Sequence, residues 1–373
     1  MKTSLYILIM CAILHGVART SYAQERMGQR EIVNKVMFWN CENLFDTEND
    51  SLRQDDDYTP EGARHWTSYR QYVKLMNISR VIDSFGSDSV PAIIGLAEVE
   101  NDSVMRRLTR GTPLYRHHYK YVMTQSDDVR GINVALMYLD VEYKLLGWES
   151  LKVSLGQVSA SGKEKTHKPL RQPRPTRDIL HAWGRVIGGD TLDVIVCHLP
   201  SRLGGRKNSL PMRKQAHLVI HSLTDSLSLI RTNPKILVMG DMNDTPYTRQ
   251  LCKDMRFGSG LHNLMQPLDR ALRLGKIPFG SHKYQGRWSW LDQFWVNDAL
   301  FVAQTDNPAT GNRVWVSDAN CLAHDYMLAE DVAHLGHRPL RTYYGYRYEG
   351  GFSDHLPIVL DLHLRFRSNT LKK

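Results

Sequence analysis

Cysteine is scarce in this chain, at five of 373 residues, and no apolar run is long enough to cross a bilayer. The first such run, Leu5–Leu14, falls well short of the ~20 residues that a spanning helix needs. The four cysteines beyond it (Cys41, Cys197, Cys252 and Cys321) match neither a zinc cage nor a small disulfide scaffold in spacing. Cys41 and Cys197 close apolar runs and are expected as buried thiols. Internal repeats and dividing linkers are also absent. Neither sign of charge is lacking: 48 Lys and Arg face 39 Asp and Glu, a net +9 that favours acidic partners without naming one. At 42% hydrophobic and 23% charged residues, disorder, collagen and coiled coil are excluded.

What is present begins with a leader. Lys2 precedes the apolar run, and small residues follow to Ser21-Tyr22-Ala23, the pattern of a secretory signal cut after Ala23. Residues 24–373 are then expected as one domain, secreted or periplasmic and without stable membrane insertion. Met10 is too bulky for the position before a lipid-modified cysteine at Cys11.

Short apolar runs rich in β-branched and aromatic residues predict strands at Lys35–Asn40, Ala92–Ala97, Ile132–Tyr138, Ile179–Val186, Leu192–His198, Ile236–Gly240 and Phe352–Leu362. A meander is expected around 119–146. Leu75, Ile78, Ile82 and Phe85, stopping at Gly86, and Ala216, Val219, Leu223, Leu227 and Ile230 have helical spacing. Mixed sheets covered by helices, an α/β architecture, follow from this alternation. Asp46–Asp57, with six acids, and Lys163–Arg177, with six bases and three prolines, are expected as exposed loops.

Polar residues gather where the predicted strands end. FWNCENLF (38–45) offers Asn40 and Asn43, GLAEVEN (95–101) offers Glu98, and CHLPSRLGG (197–205) offers His198 and Arg202. KILVMGDMNDTP (235–246) places Asp241 and Asn243 on one side if the strand geometry continues. In GGFSDHLPIVLDL (350–362), Asp354 and His355 would face opposite ways in extended chain. Taken singly, each is as ordinary as a solvated carboxylate or a boundary histidine. Together, Asn40, Glu98, Asp241 and Asp354 form a hard-oxygen donor set suited to Mg²⁺ or Mn²⁺. Phosphoester hydrolysis needs such parts: a cation against the oxyanion, a carboxylate to align water, and donors around the phosphoryl oxygens.

In this order the five clusters resemble the endonuclease/exonuclease/phosphatase superfamily, the deoxyribonuclease I-like enzymes, over Val36–Leu362. GDMND and SDHLP are its most specific motifs, LDQFWVN (291–297) adds Asp292, and NLFDTEND, SDDVRGINVALMY (126–138) and HLPSRLGG are similar to its secreted bacterial branch. The resemblance implies a four-layer α/β sandwich with two mixed β-sheets face to face and helices outside. It implies Asn40 and Glu98 as metal-site residues, with Asp354 supporting a metal. Asp241 would align the attacking water, Asn243 contact the phosphate, and His355, oriented by Asp292, contact the scissile phosphate. His198 would be the proton donor to the leaving oxygen, and Arg130, Arg177 and Arg202 weaker phosphate contacts. A monomeric, Mg²⁺- or Mn²⁺-dependent phosphodiesterase is expected, with nucleic acid favoured over phospholipid or sugar and inositol phosphates, and a non-catalytic binder as the contrast. The acidic loop adds an expectation of structural Ca²⁺. The segment 299–350, with His324, His334, His337 and Tyr343–Tyr348, is expected as either a substrate wall or a packed surface excursion.

Overall fold

The structure, a computed structural model, describes residues 29–87, 89–153, 176–202, 205–256, 260–301 and 313–367. The leader and most of the basic stretch 163–177 lie outside the described residues.

Twelve strands build two six-stranded sheets. In chain order they are β1 (Gln29–Leu44), β2 (Ile93–Val99), β3 (Lys120–Met123), β4 (Asn133–Tyr138), β5 (Tyr143–Leu151), β6 (Ile179–Val186), β7 (Thr191–His198), β8 (Lys235–Asp241), β9 (His262–Asn263), β10 (Asp292–Val296), β11 (Arg313–Cys321) and β12 (Ile358–Arg367). One sheet runs β11-β12-β1-β2-β4-β3 and the other β5-β6-β7-β8-β10-β9. Each contains one parallel pair, β1 with β2 and β7 with β8. A helix bridges each pair: α1 (Ser68–Asp83) the first, α3 (Arg206–Ile230) the second. Two shorter helices, α2 (Asp102–Arg110) and α4 (Arg249–Arg256), follow the second strand of each pair.

Strand alternation explains the layers. Val36 and Phe38, Val134 and Leu136, Val194 and Val196, and Leu237 and Met239 meet between the sheets. Their neighbours point outward: Met37, Trp39, Ile94 and Leu96 pack on Leu75, Ile78 and Ile82 of α1 and Val104 and Leu108 of α2. Ile195, Cys197, Ile236 and Val238 pack on Ala216, Ile220 and Leu227 of α3 and on Leu251 and Met255 of α4. The order is helix, sheet, sheet, helix, a four-layer α/β sandwich. The sheets approach closely at Gly95, where an added Cβ would lie 2.9 Å from Met239 Cε.

Three expectations change. The meander divides: β3 and β4 pair in the first sheet, whereas β5 crosses to the edge of the second, with Tyr138 packed edge-on against Tyr143 at the crossing. The last strand starts at Ile358, not Phe352, because Ser353–Pro357 turn toward the ends of β1 and β10; there Ser353 Oγ donates to Asn40 O and Trp39 Nε1 to His355 O. The acidic loop is not wholly exposed. Asp46 and Asp55 are buried, Asp46 accepting from Asn101 Nδ2 and Asp55 from the Asp50 backbone N–H. All four described cysteines are free thiols, and Cys41 and Cys197 are buried as expected.

Candidate active site

The parallel pairs fix where the site lies, because both aim their carboxyl ends at the same end of the sandwich, where α/β sheets present ligand-binding groups. β1 and β2 deliver Asn40 and Glu98; β7 and β8 deliver His198 and Asp241, directly opposite each other in register. Asp292 opens antiparallel β10 opposite Asp241, and His355 arrives on the turn before β12.

Local backbone departures aim these side chains. Pairing slips on either side of Glu98, which sits on a bulge with φ 60°, and slips again after Asn40, where Glu42 and Asn43 have φ 50° and 53°. Left-handed backbone is costly for residues other than glycine and collects where surroundings hold it for function. Here Asn43 N donates to Glu98 Oε2 at 2.8 Å, so the two bulges lock together. The strand geometry does not continue from Asp241 to Asn243. Asn243 has φ 48°, its N–H donates to Asp241 Oδ1 at 2.8 Å, and its side-chain amide donates to Leu199 O at 2.9 Å.

Asn40 Nδ2 lies 3.2 Å from Asp241 Oδ2 and 3.5 Å from Glu98 Oε1, bridging the two sheets. His198 Nε2 is 3.6 Å from Asp241 Oδ2 and 3.8 Å from Glu98 Oε1. His355 Nδ1 bonds Asp292 Oδ2 at 2.7 Å, leaving Nε2 3.8 Å from Asp241 Oδ2. Burial pushes the Asp241 carboxyl up to about 7. The same burial would lower the His355 imidazole, but the carboxylates of Asp292, Asp241 and Asp354 outweigh it and hold the ring well above its ordinary value. Burial, with the nearby Arg177 and Arg130 cations, holds His198 well below its own. The two histidines are therefore opposite in character, His355 cationic and His198 neutral.

The three arginines separate. Arg130 reaches the cluster, donating to Asn43 Oδ1 at 3.0 Å with Nη2 3.9 Å from Glu98 Oε1, and is partly exposed. Arg177 is buried and committed to Asp128 Oδ2 at 3.2 Å and to the His198 and Leu199 carbonyls. It braces the turn carrying His198 and has no free face for phosphate. Arg202 pairs with Asp244, which also holds buried Arg213, so this arginine anchors the GDMND turn.

Sequence reasoning missed His282 and Arg341. His282 lies beside His355, the rings tilted by 39° with centroids 4.6 Å apart, and burial lowers its imidazole to about 4. Arg341 contacts Glu42 and Asp354. Asp354 is held down to about 2: burial would raise it, but Arg341, His355 and His282 prevail. Neither residue follows an apolar strand, so no strand-end pattern marked it. His324 bonds Ser84, and His334 pairs with Asp331 in the cleft that Arg341 and Asp354 also line.

The residues fit a divalent cation. Glu98, Asp241 and Asp292 are largely buried carboxylates near the His355 ring, and Asp292 Oδ1 and His198 Nδ1 are buried without partners. An oxygen-rich, partly neutralised donor set of this kind suits Mg²⁺ or Mn²⁺.

In such a sandwich, carboxylates and histidines converging at one end of both sheets gather the kinds of group that phosphoester hydrolysis uses. The chain belongs to the endonuclease/exonuclease/phosphatase family, whose description matches residues 35–364. Similar folds include an endonuclease/exonuclease/phosphatase family protein from Bacteroides thetaiotaomicron (13% identity, 90% of this chain and 98% of that one, TM-score 0.54). A mannosyl-6-phosphatase from the same organism (14%, 88% and 99%, 0.51) and the human nocturnin catalytic domain with bound sulfate (14%, 90% and 96%, 0.50) are also similar. At these identities the likeness is one of fold. No curated protein matches the chain in sequence.

Proposed function

We propose that the protein hydrolyses a phosphoester with water, using Mg²⁺ or Mn²⁺. The observation that carries this reading is the junction of Asn40, Glu98, Asp241, Asp292, His198 and His355 from both sheets, linked to one another by polar contacts of 2.7 to 3.8 Å. Glu98 would hold the ion, joined by Asn40 once its amide turns Oδ1 from Glu42 N toward the carboxylates, and the ion when bound would supply positive charge to the phosphoryl and leaving oxygens. Asp241, pushed up by burial and fixed through its other oxygen by Asn243 N, aligns the water and takes its proton. The His355 imidazolium, oriented by Asp292, offers its Nε2 hydrogen to a phosphoryl oxygen as charge develops there. His198, neutral, fits a hydrogen-bond donor better than the proton source that the sequence suggested. Arg130 is the partly exposed cation beside the cluster.

For substrate, this favours a phosphoester gripped at a single phosphate. Arg177 and Arg202 are engaged elsewhere, and a cleft beside Glu100 is lined by Asp46, Glu48, Asp50 and Asp102 against one cation, Arg53. A polyanion bound at many phosphates would face those acids. The net charge of +9 and the stretch 163–177 support the second reading, a nonspecific nuclease. Among the described residues no helix is long and apolar enough to cross a membrane. The apolar leader supports export. The test is one Mg²⁺ panel of inositol and sugar phosphates, sphingomyelin, plasmid DNA and RNA at low and moderate salt. Preferential, weakly salt-dependent turnover of a small ester supports the first reading, and steeply salt-dependent DNA or RNA cleavage replaces it with the second.

A further inference from the structure

Glu42 and Asp354 present their carboxylates to a single guanidinium. Arg341 donates from Nε to Glu42 Oε1 at 2.8 Å, and its Nη2 lies 2.7 Å from the same oxygen and 3.0 Å from Asp354 Oδ2. The second Glu42 oxygen accepts from Thr342 N at 2.9 Å. Behind them Lys74, fully buried on α1, donates to Glu42 O and to Thr342 Oγ1, each at 2.5 Å. The surrounding chain is equally fixed. Arg338 grips Glu349 through two bonds of 2.7 Å, and Lys283 ties Asp331 at 2.7 Å, so Arg341 projects from a stapled wall.

The cations are placed differently on the two sides of the site. On the Asp354 side the Glu42 and Asp354 carboxylates share the Arg341 guanidinium, and the Lys74 ammonium stands behind them on the Glu42 carbonyl and Thr342 Oγ1. On the Glu98 side the carboxylates of Glu98, Asp241 and Asp292 meet one cationic ring and a distant edge of Arg130. Two neighbouring groups bring ligand atoms within 4.8 Å of one another, Asp241, Asp292 and His355 on the Glu98 side and His282, Asp354 and His355 on the other, and the latter would be the place for a second ion. Yet Asp354 is occupied by Arg341 and His355 is held by Asp292.

Resting on the metal-dependent reading above, we propose that Arg341 is a built-in cation at Asp354, so that the centre takes one divalent ion, at Glu98 and Asn40. Asp354 is then a positioning residue: it holds Arg341 and, beside His282 and His355, sets the electrostatic edge of the site.

The test is Mn²⁺ binding to the full chain, counted by electron paramagnetic resonance and calorimetry, with circular dichroism to confirm folding. The expected result is one Mn²⁺ per wild-type chain, abolished in Glu98→Gln. In Asp354→Asn that binding should persist with Kd changed by no more than about threefold, against the ~10–100-fold typical when even an outer partner of a ligand is lost. Arg341→Met should admit a second, weaker Mn²⁺ that disappears in Arg341→Met with Asp354→Asn. Two ions in the wild type, or loss of the single ion in Asp354→Asn, would overturn the proposal. Should Arg341→Met fail to fold, the wild-type count and Asp354→Asn decide alone. A wild type that binds no ion refutes the metal-dependent reading and this inference with it; two ions refute only the inference.

Discussion

Asp292→Asn removes one charge from the centre of the site and leaves its shape. Asp292 is fully buried, and its Oδ2 lies 2.7 Å from His355 Nδ1. A hydrogen bond to a charged group is worth about 1.5–3 kcal/mol, and 1.36 kcal/mol corresponds to one pH unit, so the His355 pKa should fall by about one to two pH units. The sign follows from the opposing causes: burial lowers the ring and Asp292 is the first of the carboxylates raising it, so losing Asp292 lets burial win. If the imidazolium is the active form, activity is present below the His355 pKa and lost above it. The alkaline limb of kcat/KM should therefore move to lower pH by the same amount, with the acid limb, where Asp241 ionises, far less affected. Ring titration by NMR in metal-free protein gives the pKa, and the Mg²⁺ pH–rate profile gives the limb. An unmoved alkaline limb, or one displaced to higher pH, would refute the assignment of His355 as a cationic donor.

Other perturbations separate structural from chemical roles. Gly240→Ala sets a Cβ 2.2 Å from Cys197 O, a backbone atom that cannot yield without parting β7 from β8, so urea denaturation should show a loss of about 1–3 kcal/mol. Gly95→Ala meets the flexible end of Met239 and, at 3.1 Å, the Phe38 ring, with no backbone atom so close, and should cost less in the same assay. Arg177→Met strands buried Asp128 and two carbonyls, and breaking a buried pair costs ~3–5 kcal/mol, so thermal unfolding should register a large drop where a substrate-binding arginine would mainly raise KM.

The central strands were legible because each carries its own signal: β-branched runs end abruptly at Asn40, Glu98, His198 and Asp241, and a strand ending in polar residues marks an end of a sheet. Periodicity says nothing about which sheet a strand joins. Tyr143–Leu151 reads as part of a meander until Tyr138 and Tyr143 are seen packing across the change of sheet. Partnership was likewise illegible. Arg130, Arg177 and Arg202 look equivalent in sequence, yet Asp128 and Asp244 neutralise two of them. Lys74 and Arg341 meet Thr342 and Glu42 across most of the chain, and contacts so distant leave no spacing to read. Asn243 departed from strand geometry because its left-handed turn bonds back to Asp241, a local choice favoured by asparagine that alternation hides.

The central claim is that a divalent ion at Glu98 and Asn40 drives phosphoester hydrolysis, and reconstitution measures it directly. The protein is stripped with chelator, and hydrolysis of bis-p-nitrophenyl phosphate is followed as Mg²⁺ or Mn²⁺ is titrated back, in wild type and Glu98→Gln. The account predicts no turnover when stripped, saturable recovery in the wild type, and a kcat at least ~10²-fold lower in Glu98→Gln, as when a charge-stabilising group is lost. Full activity in chelator, or recovery in Glu98→Gln equal to wild type, would contradict it.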